Sequence, residues 1–421
     1  MQSLALSWLF TSLNTDLVPE TDGVLRHVVV FAALVGASRF TAQRSSGSAN
    51  GLQALLFNLM MGGLVLHSLL LSTVPELSLL RLASWAAAFM SIATALSAMS
   101  EIEVRKVEKF IFGMLTMVAL LSVPLLGSSA GVQVNGTGFQ GLLNHPQVFG
   151  VTMALLCSLI VGVVFAGSDR TSLLVVLGVV SVYLMIQSEA RTSALALLVG
   201  IMAAASSSTF APTGLRGRTA KRSKRRVILL LGLLVSLIAV GAFTGSLRGP
   251  VDSFIEKSGR AEVDGISDAF AQSRGDLIDG MIRNIREDPL AGIGFGVPSS
   301  PDEVEIARDP IFNLPVGAPT EKGVLPVMIV EEVGVPLSVF IFIWLLSLLA
   351  IAGRNGPAQL AVCLTVIAAN LGEAMLFSPG GNGMLAILLI VWASRSGSSS
   401  RHRPYNGAQR EPNAVAGAET R

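Results

Sequence analysis

The sequence predicts an all-α, polytopic integral membrane protein with about 11–12 transmembrane helices and one large extracytoplasmic loop. Three observations predict it. Apolar runs of about 20 residues, the length a ~30 Å hydrocarbon core requires, recur along most of the chain. Only 14% of the 421 residues are charged and 51% are hydrophobic, against about 25% charged in soluble domains. Alternating polar–apolar strands are absent, and lipid admits only helices or closed barrels, so the helical solution follows.

The expected spans are 24–38, 51–73, 80–99, 107–127, 148–166, 171–187, 192–208, 227–245, 335–352, 360–377 and 381–394. The segment 1–13 is expected to add a twelfth helical fragment or an interfacial helix, and it lacks the basic start and small-residue cleavage site of a signal peptide. These spans divide the chain into four parts. Residues 1–245 form an N-terminal transmembrane bundle, 246–323 the large extracytoplasmic loop, 324–395 the C-terminal transmembrane helices, and 396–421 a disordered cytoplasmic tail.

Orientation follows from charge. The loop 215–226 carries Arg216, Arg218, Lys221, Arg222, Lys224, Arg225 and Arg226, and basic loops stay in the cytoplasm. Arg105, Lys106 and Lys109, with Arg395, Arg401 and Arg403 near the C-terminus, agree with that side. The basic loop reads as a topology signal, not as a nucleic-acid site. Between Ser246 and Lys322 there are fourteen acidic and eight basic residues, a balance compatible with export. Cys157 and Cys363 both lie inside apolar spans, where neither a disulfide nor a metal site is expected.

Counting spans outward from the basic loop puts the polar clusters on one side, outside. Arg274 is the sharpest of them. It heads a predicted amphipathic helix over 274–286, capped by Ser273. Ile278, Met281 and Ile285 fall within roughly 40° of Arg274, and Arg283 falls opposite. The guanidinium thus stands on the packed face, either snorkelling outward or held ready for a phosphate or carboxylate. After Asp288-Pro289 come three alternating glycines, Gly292, Gly294 and Gly296, which free the backbone for a tight turn or a close approach. The spacing is not that of a dinucleotide fingerprint.

Arg191 stands in the tight hairpin Glu189-Ala190-Arg191-Thr192-Ser193. It reads either as an ordinary interfacial flank or as a fixed charge for lipid-borne phosphate. His145 lies in Asn144-His145-Pro146 just before a span, as a structural residue or as a donor to a sugar or phosphate. Asn370 and Glu373 fall within an apolar span, where a carboxylate is costly and marks a functional candidate or a tightly packed partner. No metal cluster, P-loop or hydrolase motif occurs.

These segments resemble the O-antigen ligase and polymerase superfamily of bacterial envelope enzymes. The resemblance is carried by Gly138-Phe139 through Asn144-His145-Pro146-Gln147, by Gln187-Ser188-Glu189-Ala190-Arg191-Thr192-Ser193-Ala194, and most specifically by the Arg274-led helix followed by Pro289-Leu290-Ala291-Gly292-Ile293-Gly294-Phe295-Gly296. It implies a glycosyltransferase in the bacterial inner membrane. The implied reaction transfers an undecaprenyl-pyrophosphate-linked glycan to an acceptor hydroxyl on a glycan, lipid or protein, without metal or cofactor. It further implies that Arg191 and Arg274 bind the pyrophosphate, where preorganised cations stabilise the leaving charge.

One departure stands out. Many members carry a histidine ahead of a Glu-x-Gly, which here is Glu332-Val333-Gly334. This chain carries Gly323 there, beside Glu321 and Lys322, and has no histidine between His145 and His402. Glu321 is then the expected base, since burial can raise a carboxylate to that task, and Lys322 an expected phosphate contact. The competing expectation is a transporter or flippase for a lipid-linked sugar or another solute. It would account better for Asn370, Glu373 and Asn382, and predicts broken helices. A non-catalytic envelope assembly protein would account for the missing histidine.

Overall fold

The computed structural model describes residues 1–15, 17, 23–42, 51–132, 138–165, 171–210, 266–301, 306–308, 315–317 and 322–395. Residues 246–265, 302–305, 309–314 and 318–321 of the expected loop, the expected span 227–245, the basic loop 215–226 and the tail 396–421 lie outside the described residues. Helices make up nearly all of what is described. They are α1 (Gln2–Ser12), α2 (Gly23–Ala42), α3 (Gly51–Leu70), α4 (Pro75–Ala98), α5 (Glu101–Ser122), α6 (Pro146–Phe165), α7 (Thr171–Gln187), α8 (Arg191–Phe210), α9 (Ile266–Glu287), α10 (Leu325–Asn355), α11 (Pro357–Ala369) and α12 (Asn382–Ala393). A short antiparallel pair, Ala307–Arg308 with Pro315–Gly317, accompanies them.

Among the described residues, five segments are long and apolar enough to cross a membrane: Gly51–Leu70, Pro75–Ala98, Glu101–Leu125, Pro146–Val164 and Leu325–Asn355. Others are apolar but shorter, including Pro357–Ala369 and Asn382–Ala393. At 1.5 Å per residue these two reach only about 20 Å, short of a ~30 Å core. The sequence expectation of one span over 360–377 is corrected here. The helix stops at Ala369, because Asn370 folds its side chain back on the chain end. Its Oδ1 accepts from the Met375 and Leu376 amides at 3.0 and 2.9 Å, and its Nδ2 donates to Val366 O at 2.8 Å. Gly372, Pro379, Gly380 and Gly381 carry the irregular stretch up to α12.

Helix starts follow local chemistry. Ser100 begins α5 with a capping box: its Oγ accepts from Glu103 N, and Glu103 Oε2 accepts from Ser100 N at 2.8 Å. That arrangement satisfies amides a helix start otherwise leaves unpaired. Pro75, Pro326 and Pro357 sit in or at first turns, where a missing N–H costs nothing. The sequence reading of α9 is also corrected. The helix begins at Ile266, so Arg274 lies in its third turn and Ser273 is no cap. The residues upstream of Ser273, Ala269 and Ala271 among them, continue the helix. Pro289 ends it, as a proline ends most helices just before itself.

The core sits where α6, α8, α11 and α12 pack together, with α4 against α2 and α12, and α10 against α3. Every residue of Asn382–Ala393 is buried, as expected for a helix that is apolar all round. Helix α1 joins this core. Leu4, Ala5 and Trp8 are buried, and Trp8 Nε1 donates to Asn382 Oδ1 at 3.4 Å. Leu52, Leu55, Leu59, Leu66 and Leu69 of α3 point outward, the surface a helix in lipid presents.

Candidate functional site

The site is built around a break in α10. Pro336 lacks an N–H, so the Glu332 carbonyl has no helical partner four residues on. Val335 N donates to Pro289 O (2.9 Å) instead of to Glu331 O. Two carbonyls are thereby released, and the glycine loop supplies their donors: Ile293 N to Glu331 O at 3.0 Å and Gly294 N to Glu332 O at 2.8 Å. Loop and helix interlock backbone to backbone. A Cβ on Gly334 (φ 68°) would stand 2.1 Å from Leu290 O, and one on Gly292 (φ 68°) 2.6 Å from Glu331 O. The close approach that the alternating glycines allow is therefore to the broken helix.

The side chains at this break form a buried polar cluster. Lys322 Nζ lies 2.8 Å from Glu331 Oε2 and 3.1 Å from Glu332 Oε1. The three residues are 3%, 0% and 2% exposed. The remaining carboxylate oxygens are also engaged. Asn284 Nδ2 donates to Glu331 Oε1 at 2.7 Å and Gly296 N to Glu332 Oε2 at 2.8 Å. Removing such ions from water costs several kcal/mol each, which their close ion pairing and the two hydrogen bonds offset in part. The α3–α4 hairpin closes the other side. His67 Nε2 pairs with Ala291 O, Arg81 donates to Gly296 O, and Thr73 N and Oγ1 both donate to Ile293 O at 2.9 Å.

A second polar grouping joins two segments singled out in the sequence. Phe139 N donates to Gln187 O at 2.7 Å. Gly150 packs so tightly on the hairpin that a Cβ there would stand 2.3 Å from Ala190 Cβ and 2.6 Å from Ser188 Oγ. Glu189 takes a left-handed φ of 54°, which gives the hairpin its sharp turn. Asn370 O accepts from Leu325 N at 3.0 Å, and Gly372 abuts Thr192, where a Cβ would lie 2.1 Å from Thr192 Oγ1. The second grouping is thus continuous with the break in α10, through the start of α10 and the Asn370 turn.

A wall of rings stands beside the break. Trp85 lies 5.1 Å from Phe377, 5.5 Å from Phe89, 6.0 Å from Trp344 and 6.5 Å from Phe295, centroid to centroid. Its Nε1 donates to Leu376 O at 3.0 Å. These rings hold the glycine loop, through Phe295, and the Asn370 turn, through Phe377, against the bundle.

The predicted site residues are placed as follows. Arg191 begins α8, half-buried in the tight hairpin. His145 stands just ahead of α6 and its Nδ1 accepts from Gln147 N at 3.1 Å, which leaves Nε2 as the ring's donor in the neutral form. Lys322 is buried between two carboxylates. Arg274 is in α9, with its side chain outside the described residues. Of the stripe predicted beside it, Met281 is buried and Ile278 and Ile285 are half-buried, while Arg283 is exposed. Glu321 lies outside the described residues.

Sequence reasoning missed that Glu331 and Glu332 pair with Lys322, and it missed Asn284, His67 and Arg81. The one local signal was Gly334-Val335-Pro336 within an apolar run, a pattern that breaks a helix. Among the described residues no group of His, Cys, Asp and Glu is arranged to hold a metal ion. The chain matches no protein-family model and no curated protein.

Proposed function

We propose that this chain is a membrane glycosyltransferase of the O-antigen ligase or polymerase type. It transfers a glycan from undecaprenyl pyrophosphate to an acceptor hydroxyl at the outer face of the bacterial inner membrane. The observation that carries the reading is the meeting of three segments distant in sequence. The 138–147 segment packs on the Arg191 hairpin, and both connect through Thr192, Gly372, Asn370 and Leu325 to the interlocked glycine loop. These are the segments that carry the family resemblance.

In the proposed reaction the acceptor oxygen attacks the anomeric carbon. The bond from that carbon to the pyrophosphate oxygen breaks, and its electron pair leaves with the pyrophosphate. The acceptor proton passes to Glu321. Arg191 and Arg274 hold the pyrophosphate as charge develops on it, an effect worth about 3 kcal/mol per well-placed donor. His145 Nε2 donates to a sugar or phosphate oxygen. The test is direct: the purified protein, given lipid-linked glycan extracted from its own cells and an acceptor, should release undecaprenyl pyrophosphate. Absence of release with every acceptor class would refute the proposal.

A second reading, transport of a lipid-linked sugar or another solute, is favoured by one observation. Helices α11 and α12 are short and separated by irregular backbone, the form of broken helices at transporter sites. Movement of lipid-linked glycan between leaflets of protein-containing vesicles, without chemical change, would favour it over transfer.

A further inference from the structure

Lys322 ties the chain just ahead of α10 to the glutamates of that helix. It stands three residues before α10 begins, at the end of the long segment that follows the glycine loop. Gly323 next to it takes φ 68°, and Val324 N donates to Lys322 O at 2.7 Å. That tight turn directs the lysine back onto the second turn of the helix it precedes. There Glu331 and Glu332 take its ammonium, and each carboxylate spends its other oxygen elsewhere. Glu331 binds Asn284 of α9, and Glu332 binds the Gly296 amide of the glycine loop. Four segments, α9, the glycine loop, the 322–324 turn and α10, therefore converge on the two carboxylates.

The same geometry opposes a role in holding phosphate. Lys322 is 3% exposed, and two carboxylates already lie against its ammonium. A pyrophosphate brought into that contact would meet two like charges in a low-dielectric setting, which disfavours the anion. We infer that Lys322 is a positioning residue, clamped by Glu331 and Glu332 to fix the glycine loop and α9 on the broken helix, and that it does not touch the substrate. The inference revises the phosphate role expected for Lys322 in the sequence and rests on the clamp geometry, not on the proposed reaction.

Two measurements on the full chain test it, and neither requires transfer activity. In the first, an amine-reactive ester is applied to the folded wild-type protein in detergent, with and without added lipid-linked glycan. Lys322 should label more than about a hundredfold more slowly than the exposed Lys106, with or without the glycan. Labelling at the rate of Lys106, or labelling that the glycan suppresses, overturns the clamp. In the second, hydrogen exchange follows the amides of Ile293, Gly294 and Gly296 in Lys322→Met. Their exchange should rise by more than about a hundredfold, since an unpaired buried carboxylate pair loosens what it held. Wild-type protection in Lys322→Met overturns the inference. If that variant fails to fold, the wild-type labelling decides alone.

Discussion

Gly334 meets Leu290 so closely that a Cβ on the glycine would stand 2.1 Å from the Leu290 carbonyl oxygen. The contact is the tightest point of the interlock between the glycine loop and the broken helix, and Gly334 also holds a φ of 68°. Gly334→Ala should destabilise the protein by about 3–5 kcal/mol, combining a left-handed backbone penalty with a clash against backbone. Gly292→Ala should act similarly. Gly62→Ala, in a helix with nothing near its Cβ, should be neutral or slightly stabilising. Thermal unfolding in detergent measures all three.

Asn370→Ala should uncap α11. It strips the acceptor from two buried amides, Met375 N and Leu376 N, at about 1–3 kcal/mol for each donor left unmade. The expected result is a lower unfolding temperature together with faster hydrogen exchange confined to 370–381. A loss of stability spread evenly over the bundle would contradict the capping role.

Trp85→Phe keeps an aromatic ring but removes the donor to Leu376 O. A destabilisation of about 1–3 kcal/mol is expected from the unpaired carbonyl and the lost ring volume. Unfolding of the variant beside wild type checks it, and a difference near zero would mean the hydrogen bond contributes nothing net.

These three cases show what was legible in the sequence and what was not. Apolar run length located most helices, because burial and backbone satisfaction act locally along each run. It failed at 360–377, where the averaged hydropathy carried the run past Asn370 although that residue turns the chain. The amphipathic stripe of α9 was legible from period alone, and Met281 is buried as the period requires. The start of α9 was not, since Ser273 resembles a cap while the upstream residues also favour helix. The partners of Lys322 were not legible either. Asn284 and Glu331 are 47 residues apart, and no periodicity relates residues that only the folded chain brings together.

Arg191→Ala and Arg274→Ala should each cut transfer by about a hundredfold or more while leaving the folded protein intact, by analogy with the loss of one preorganised charge donor. Lysine at either position should recover only part of the loss, because a point charge lacks the planar fork that binds phosphate. Arg283→Ala, on the exposed face of α9, should stay within about twofold of wild type. Equal effects at Arg274 and Arg283 would remove Arg274 from the binding role.

The most direct test of the central proposal is mass spectrometry of the undecaprenyl-pyrophosphate-linked glycans in cells carrying wild type, a deletion, or Arg274→Ala at matched expression. The proposal predicts that a lipid-linked oligosaccharide accumulates in both mutants as a surface polymer disappears. A lipid-linked pool unchanged from wild type in both mutants would contradict it.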